Sequence, residues 1–254
     1  VSIKVAAIQH DIAWESRDET LAALAPAVAA AAADGARLVV LTEMFAVGFS
    51  MAPERVAEPE DGPTEAWLRA QAALLDVWIA GSIPQVVESH RPRNVLVLAA
   101  PDGSVHRYAK VHPFTYSGEH EHYDAGTELV TVDVEGVRVS LFVCYDLRFA
   151  DEFWALAPAT DCYVVVANWP AKRRAHWRAL LVARAIENQA YVVGCNRVGD
   201  GDGIAYAGDS AIVDPLGEVL VSASSVVTTL TADVDPTVVA TVRARFPFLQ
   251  DRRS

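Results

Sequence analysis

The stretch SLFVCYDLRF, residues 140–149, changes character at its fifth residue. Ser140 to Val143 read as the end of a buried strand, whereas Tyr145, Asp146 and Arg148 cannot enter a core unpaired. Cys144 stands at the junction, either as one more small core residue or as a group set at a strand end for chemistry. Free cysteine usually packs as a small hydrophobe. The other two cysteines do read that way: Cys162 opens CYVVVAN and Cys195 closes AYVVGC, both strand-like runs. Local pattern alone therefore favours packing, and the decision needs the rest of the chain.

Upstream, LVTVDVEGVRVSLFVC folds as a hairpin about Glu135-Gly136, and NVLVLAAPDGSVHRYAK as another about Pro101-Asp102-Gly103. Before these, IKVAAIQ, ARLVVLTE and VWIAGSIPQVVE are apolar runs suited to buried strands. Two helices separate them. SRDETLAALAPAVAAAAADG carries Ser16 as N-cap, Glu19 at capping-box spacing and Gly35 as its stop, while Pro26 predicts a kink or a later start. GPTEAWLRAQAALLD has Pro63 in the first turn. Downstream come a short helix near Phe149 to Leu156, the strand CYVVVAN, the helix AHWRALLVARAIENQ and the strand YVVGCNRVG. A GDGDG turn, a third hairpin in SAIVDPLGEVLVSA, the strand VVTTLTADVD and the helix PTVVATVRARF complete the chain. Mixed βα units and antiparallel hairpins argue against a purely parallel doubly wound sheet and predict an α/β fold of two packed sheets with helices outside.

The 254 residues, 52% hydrophobic and 21% charged, suffice for a large core, and the absence of a linker-like stretch predicts a single domain over 1–254. VSIKVAAIQHDIAWESRDE lacks a signal-peptide layout, and LAALAPAVAAAAA is too short for a membrane span. Three cysteines without a CxxC predict a reducing compartment, and a net charge of −12 opposes nucleic acid and anionic membranes. The expectation is a cytoplasmic globular protein that binds neither nucleic acid nor membrane.

Cys144 is not the only reactive group where an apolar run stops. Glu43 ends ARLVVLTE and Lys110 ends SVHRYAK. A carboxylate, an ammonium and a thiol together supply a base, an oxyanion stabiliser and a nucleophile. The motifs LTEMF, YAKVHPF and FVCYDLRF, in that order, resemble those of the nitrilase superfamily of carbon–nitrogen hydrolases. The resemblance runs from VAAIQHDIAWESRDETL to ADVD near residue 235, and it is most specific at CYDLRF and ANWPAKRRAHWRALLVARAIENQAYVVGCNRVG. Those stretches are most similar to the omega-amidase branch, and GEHEHYDAG also looks like its bacterial members.

The resemblance implies a four-layer αββα sandwich with two mixed central sheets, assembled as a homodimer or larger homo-oligomer. It also implies cofactor-free hydrolysis of a non-peptide C–N bond in a small-molecule amide. Cys144 is then the nucleophile, Glu43 the general base and Lys110 the oxyanion-side cation, with the backbone N–H of Tyr145 as second donor. A further family glutamate falls a few residues before Gly126, and Glu119 fits that spacing better than Glu121. Omega-amides such as 2-oxoglutaramate need a site for the distal carboxylate, for which Arg148 and Arg173 are candidates. Arg148 has Asp151 and Glu152 close by as structural partners; Arg173 follows a strand end in NWPAKRRAH. Phe45 and Trp169 are expected pocket walls, with a core role as the alternative.

Two other readings have less support. His112, His120, His122, Glu119 and Glu121 crowd one segment, yet no third ligand stands at recognisable spacing and no H-E-x-x-H occurs, so no metal is assigned. A non-catalytic binder on the same fold would be expected to have lost one of the three reactive groups, and this chain keeps all three.

Overall fold

The computed structural model describes residues 2–253; residues 1 and 254, the ends of the expected domain, lie outside the described residues. One sheet has the strand order β13-β1-β2-β3-β4-β5, built from β1 (Ile3–Gln9), β2 (Leu38–Val40), β3 (Trp78–Gln85), β4 (Arg93–Ala99), β5 (Val105–Ala109) and β13 (Thr228–Val234). The other runs β10-β11-β9-β8-β7-β6, with β12 also on β11. Its strands are β6 (Thr131–Val134), β7 (Val137–Val143), β8 (Cys162–Ala167), β9 (Tyr191–Asn196), β10 (Val198–Gly201), β11 (Ile204–Val213) and β12 (Val219–Ser224). Both sheets are mixed. Where a helix intervenes the strands pair in parallel, as β1–β2–β3 and β7–β8–β9 do; where a hairpin intervenes they pair antiparallel, as β3–β4–β5 and β6–β7 do.

Alternation along β1 builds two interfaces at once. Val5 and Ala7 join Leu38, Val40, Leu96 and Leu98 in the core that meets Val139, Leu141, Val164 and Val166 of the second sheet. Ala6 and Ile8 face outward onto Leu21, Leu24 and Val28 of α1 (Arg17–Ala33) and, past the short α2 (Pro53–Val56), Leu68 of α3 (Pro63–Leu75). A short α4 (Glu119–His122) follows β5. The second sheet is covered by α5 (Ala150–Leu156) and α6 (Arg174–Asn188) through Phe153, Trp177, Leu181 and Ala185, and α7 (Pro236–Arg245) follows β13. Helix, sheet, sheet and helix thus form the αββα sandwich. Each fully buried Val, Leu or Phe contributes roughly 1.5–3 kcal/mol, so this aliphatic interface does much to hold the two sheets together.

Local departures from the expected elements have simple causes. Helix α1 starts directly at Arg17 and runs through Pro26. Ala22, whose carbonyl Pro26 cannot reach with an N–H, is exposed and open to water. Ser16 makes no side-chain cap to the backbone and instead donates to Glu19 Oε2 at 3.3 Å. The GDGDG segment is half strand: β10 pairs with β11, and the reversal falls on Asp202-Gly203 with φ of 51° and 73°. Strand β2 stops at Val40, three residues short of Glu43, where the chain turns through Met44 at φ 40°.

Candidate active site

Glu43, Lys110 and Cys144 reach one point because β2, β5 and β7 end on the same side of the sandwich. Cys144 leaves β7 with φ 48°, a left-handed conformation that costs a non-glycine residue about 1–3 kcal/mol and is held only by its surroundings. The cluster is buried: Glu43 and Glu119 are 0% exposed and Lys110 1%. Lys110 Nζ donates to Glu43 Oε1 at 2.9 Å and to Glu119 Oε2 at 2.8 Å. Glu119 opens α4 and accepts the Phe114 N–H as well, whereas Glu121 is exposed. Gly126 is required nearby, since a Cβ there would lie 2.2 Å from the Ala109 carbonyl oxygen.

Glu43 is fixed on every side. Its Oε1 also accepts Asn94 Nδ2 at 2.9 Å, its Oε2 accepts the Asn168 backbone N–H at 2.8 Å, and its own carbonyl accepts Asn168 Nδ2 at 2.6 Å. The Glu43 and Lys110 charges both act on the Cys144 thiol. Burial pushes the thiol well above the usual cysteine range; the Glu43 charge adds to the rise and Lys110 opposes it. Resting Cys144 is therefore a thiol facing a carboxylate, not a free thiolate. Burial alone would lower Lys110, but Glu119 and Glu43 outweigh it and keep the ammonium charged. Burial raises Glu119, against the pull of Lys110.

Cys144 opens into a cavity of about 390 Å³ also lined by Tyr145, Arg148, Trp169 and Arg173. The Arg148 guanidinium lies 4.7 Å above the Trp169 ring and donates to His176 Nδ1 at 3.2 Å. The Arg173 guanidinium lies 5.1 Å over Phe114. Neither forms a salt bridge with a carboxylate among the described residues. The expected pairing of Arg148 with Asp151 or Glu152 is not found among the described residues; Glu152 is held instead by His112 Nε2 at 2.6 Å. Burial, and next the neighbouring Arg173, hold Arg148 below the usual arginine range.

Phe45 is a correction. It is 0% exposed and packs in the outer core against Gly81 and Trp67, away from the cavity. The chain after β2 no longer follows strand alternation, and Phe49 takes the wall position instead. Tyr206, on β11, also lines the cavity. Asn94, Asn168 and Asp146 carry no motif of their own in the sequence, and two of the three Asp146 partners, Tyr108 and His112, lie in a distant segment of the chain. The one signal available was position, since Asn168 and Asp146 each sit just past an apolar run. Among the described residues no group of three or more His, Cys, Asp or Glu is placed to hold a metal ion. No helix among them is long and apolar enough to cross a membrane.

Residues 4–244 match the family model described as carbon-nitrogen hydrolase. Omega-amidase YafV of Escherichia coli (strain K12) is 43% identical over 220 residues, covering 85% of this chain and 84% of that protein. The 2-oxoglutaramate amidase of Bacillus subtilis (strain 168) is 33% identical over 223 residues, covering 86% and 85%. Among solved structures, XC1258 from Xanthomonas campestris, a CN-hydrolase superfamily protein with an arsenic adduct in its active site, superposes with a TM-score of 0.94. It is 37% identical, and the match covers 100% of this chain and 98% of that one. With the αββα layers, the strand-end cluster and a match over nearly its whole length, this chain belongs to the carbon–nitrogen hydrolase family.

Proposed function

We propose that this enzyme is an omega-amidase, hydrolysing the terminal amide of a small dicarboxylic acid monoamide such as 2-oxoglutaramate to the acid and ammonia. The observation that carries the reading is one cavity onto which the thiol of the buried thiol–carboxylate–ammonium cluster opens, lined by two guanidiniums that have no carboxylate partner among the described residues. The omega-amidase and 2-oxoglutaramate amidase relatives support it.

In this reading Cys144 Sγ attacks the amide carbonyl while Glu43 takes the thiol proton. The carbonyl oxygen becomes an oxyanion held by Lys110 Nζ and the Tyr145 backbone N–H. Glu43 passes the proton to the departing nitrogen, the C–N bond breaks, ammonia leaves and a thioester remains. Glu43 then deprotonates water, which attacks the thioester, and the returning proton leaves Cys144 as the thiol. Glu119 keeps Lys110 charged and aimed throughout. Arg173 and Arg148 receive the distal carboxylate, and Trp169 forms the wall beneath Arg148.

The enzyme works without cofactor or metal as one domain over residues 1–254, in the cytoplasm, as a homodimer or larger homo-oligomer; it binds neither nucleic acid nor membrane. Ammonia release from a panel of omega-amides, neutral amides, nitriles and carbamoyl amino acids tests the assignment. Preference for the omega-amides is expected, and preference for either of the last two classes would sink it.

A further inference from the structure

Among the described residues one side chain hydrogen-bonds both to the turn that carries Cys144 and to the segment that carries Lys110, and it is none of the reacting groups. Asp146 is 1% exposed. Its Oδ2 accepts the Val143 N–H at 3.0 Å and the Tyr108 hydroxyl at 2.8 Å, and its Oδ1 accepts the His112 N–H at 2.9 Å. Val143 directly precedes the nucleophile, while Tyr108 and His112 flank Lys110 two residues to either side. Glu119 by contrast binds Lys110 and Phe114 and makes no bond to the Cys144 turn.

We propose that Asp146 is the positioning residue that sets Cys144 against Lys110 and Glu43, and that it does so only as a carboxylate. The proposal rests on the reading of Cys144 as nucleophile. Both oxygens must accept, because the Val143 and His112 N–H groups are backbone donors that cannot turn away. A protonated acid or an amide presents a donor at one oxygen position and sets N–H or O–H against N–H. The left-handed backbone at Cys144 needs such a tie to persist. Arg184 on α6 supplies a second hold by donating to the Leu147 carbonyl at 3.1 and 2.8 Å, but that bond leaves the distance to Lys110 free.

The carboxylate form is not guaranteed at every pH. Burial pushes Asp146 up to about 6; the Lys110 charge, the Val143 N–H, the Tyr108 hydroxyl and the His112 N–H pull it down. The other charged groups packed around the tie are Glu152 of α5, bonded to the His112 ring, and Arg184. As pH falls through about 6 the tie converts to its non-accepting form, so activity acquires an acidic limb set by a group that touches no substrate.

The experiment compares wild type, Asp146→Asn and Tyr108→Phe by steady-state kinetics against pH and by the rate of iodoacetamide alkylation of Cys144. Asp146→Asn is expected to lower kcat on the order of 100-fold, the cost of misplacing reacting groups by about 1 Å, with KM little changed. Alkylation slows in parallel. The wild-type limb near pH 6 disappears from the Asn variant and persists, at reduced kcat, in Tyr108→Phe. An Asn variant with wild-type kcat, or with the limb unmoved, overturns the proposal. Should that variant not fold, the wild type and Tyr108→Phe decide: no limb near pH 6 in wild type, or a Tyr108→Phe enzyme with unchanged kcat, overturns it equally. Failure of the amidase reading looks different, as wild type would release no ammonia while the alkylation rates still report on Asp146.

Discussion

Removing Arg173 separates substrate recognition from chemistry. Its guanidinium faces the cavity that holds Cys144, stacks on Phe114 and has no carboxylate partner among the described residues, so its charge is free for a ligand. A charge-assisted hydrogen bond to a substrate carboxylate contributes roughly 1.5–3 kcal/mol. Arg173→Ala should therefore lower kcat/KM for succinamate or 2-oxoglutaramate by roughly 10- to 150-fold, since about 1.4 kcal/mol is a factor of ten. The loss should fall mainly on KM, because the carboxylate is bound equally in ground and transition states. The neighbouring Arg148 keeps a second positive charge in the cavity and sets the floor.

A neutral amide of similar length is the internal control. It makes no use of Arg173 and should lose less than about threefold, well below the roughly tenfold effect of a missing 1.5 kcal/mol contact. Arg173→Lys should recover part of the charged-substrate activity, as a point charge without the planar fork. Ammonia release measured on both substrates with all three proteins is the assay. Equal losses on charged and neutral amides would refute the reasoning and make Arg173 a support for the turn before α6, where its carbonyl accepts the Trp169 indole N–H at 2.9 Å.

Cys144→Ala should abolish turnover while circular dichroism and melting temperature stay near wild type, and iodoacetamide should inactivate the wild type at that one site. Cys195→Ala should instead lower the melting temperature with kcat retained, because its thiol packs against the Ile8 and Val40 carbonyls inside the sandwich. Glu43→Gln keeps the shape but removes the base, and should cut kcat at least ~100-fold. Prolonged EDTA treatment should leave activity unchanged; loss restored by added zinc would return the His120/His122 segment to consideration as a metal site.

What could be read from sequence was whatever the periodicity of apolar runs marks directly. Glu43, Lys110 and Cys144 each follow such a run, so three strand ends could be named before any coordinates. The choice between Glu119 and Glu121 depends on which face of a single helical turn is buried, and neighbours in one turn look alike in sequence. Arg148 was given local acidic partners, yet Glu152 is claimed by His112, a residue forty positions away that only tertiary packing brings near. Asn94, Asn168 and Asp146 act through backbone and side-chain bonds between distant segments, for which a single sequence carries no spacing signal. Phe45 takes the core role, the alternative its sequence position allowed: the chain bends at Met44, and the Phe45 ring packs against Gly81 and Trp67.

Keeping Asp146 ionised in the interior has a cost that stability measurements can read. Its ordinary value of 3.8 rises to about 6 in the folded protein. The native state thus binds this proton more tightly than the unfolded chain does. Stability from this group is fully present below about 3.8 and is lost as pH rises through about 6. The gap corresponds to roughly 3 kcal/mol that the protonated form has and the carboxylate lacks. Asp146→Asn has no such titration, and the other carboxylates, Glu119 included, are common to both proteins and cancel in the difference. The unfolding free energy of wild type minus that of the variant should therefore decrease as pH is raised from about 4 to about 7. Urea unfolding at several pH values measures it directly. A difference that stays flat, or that grows with pH, would mean that the Val143, Tyr108 and His112 donors compensate burial fully. The carboxylate would then be an ordinary structural ion, with no stability given up to hold the nucleophile in place.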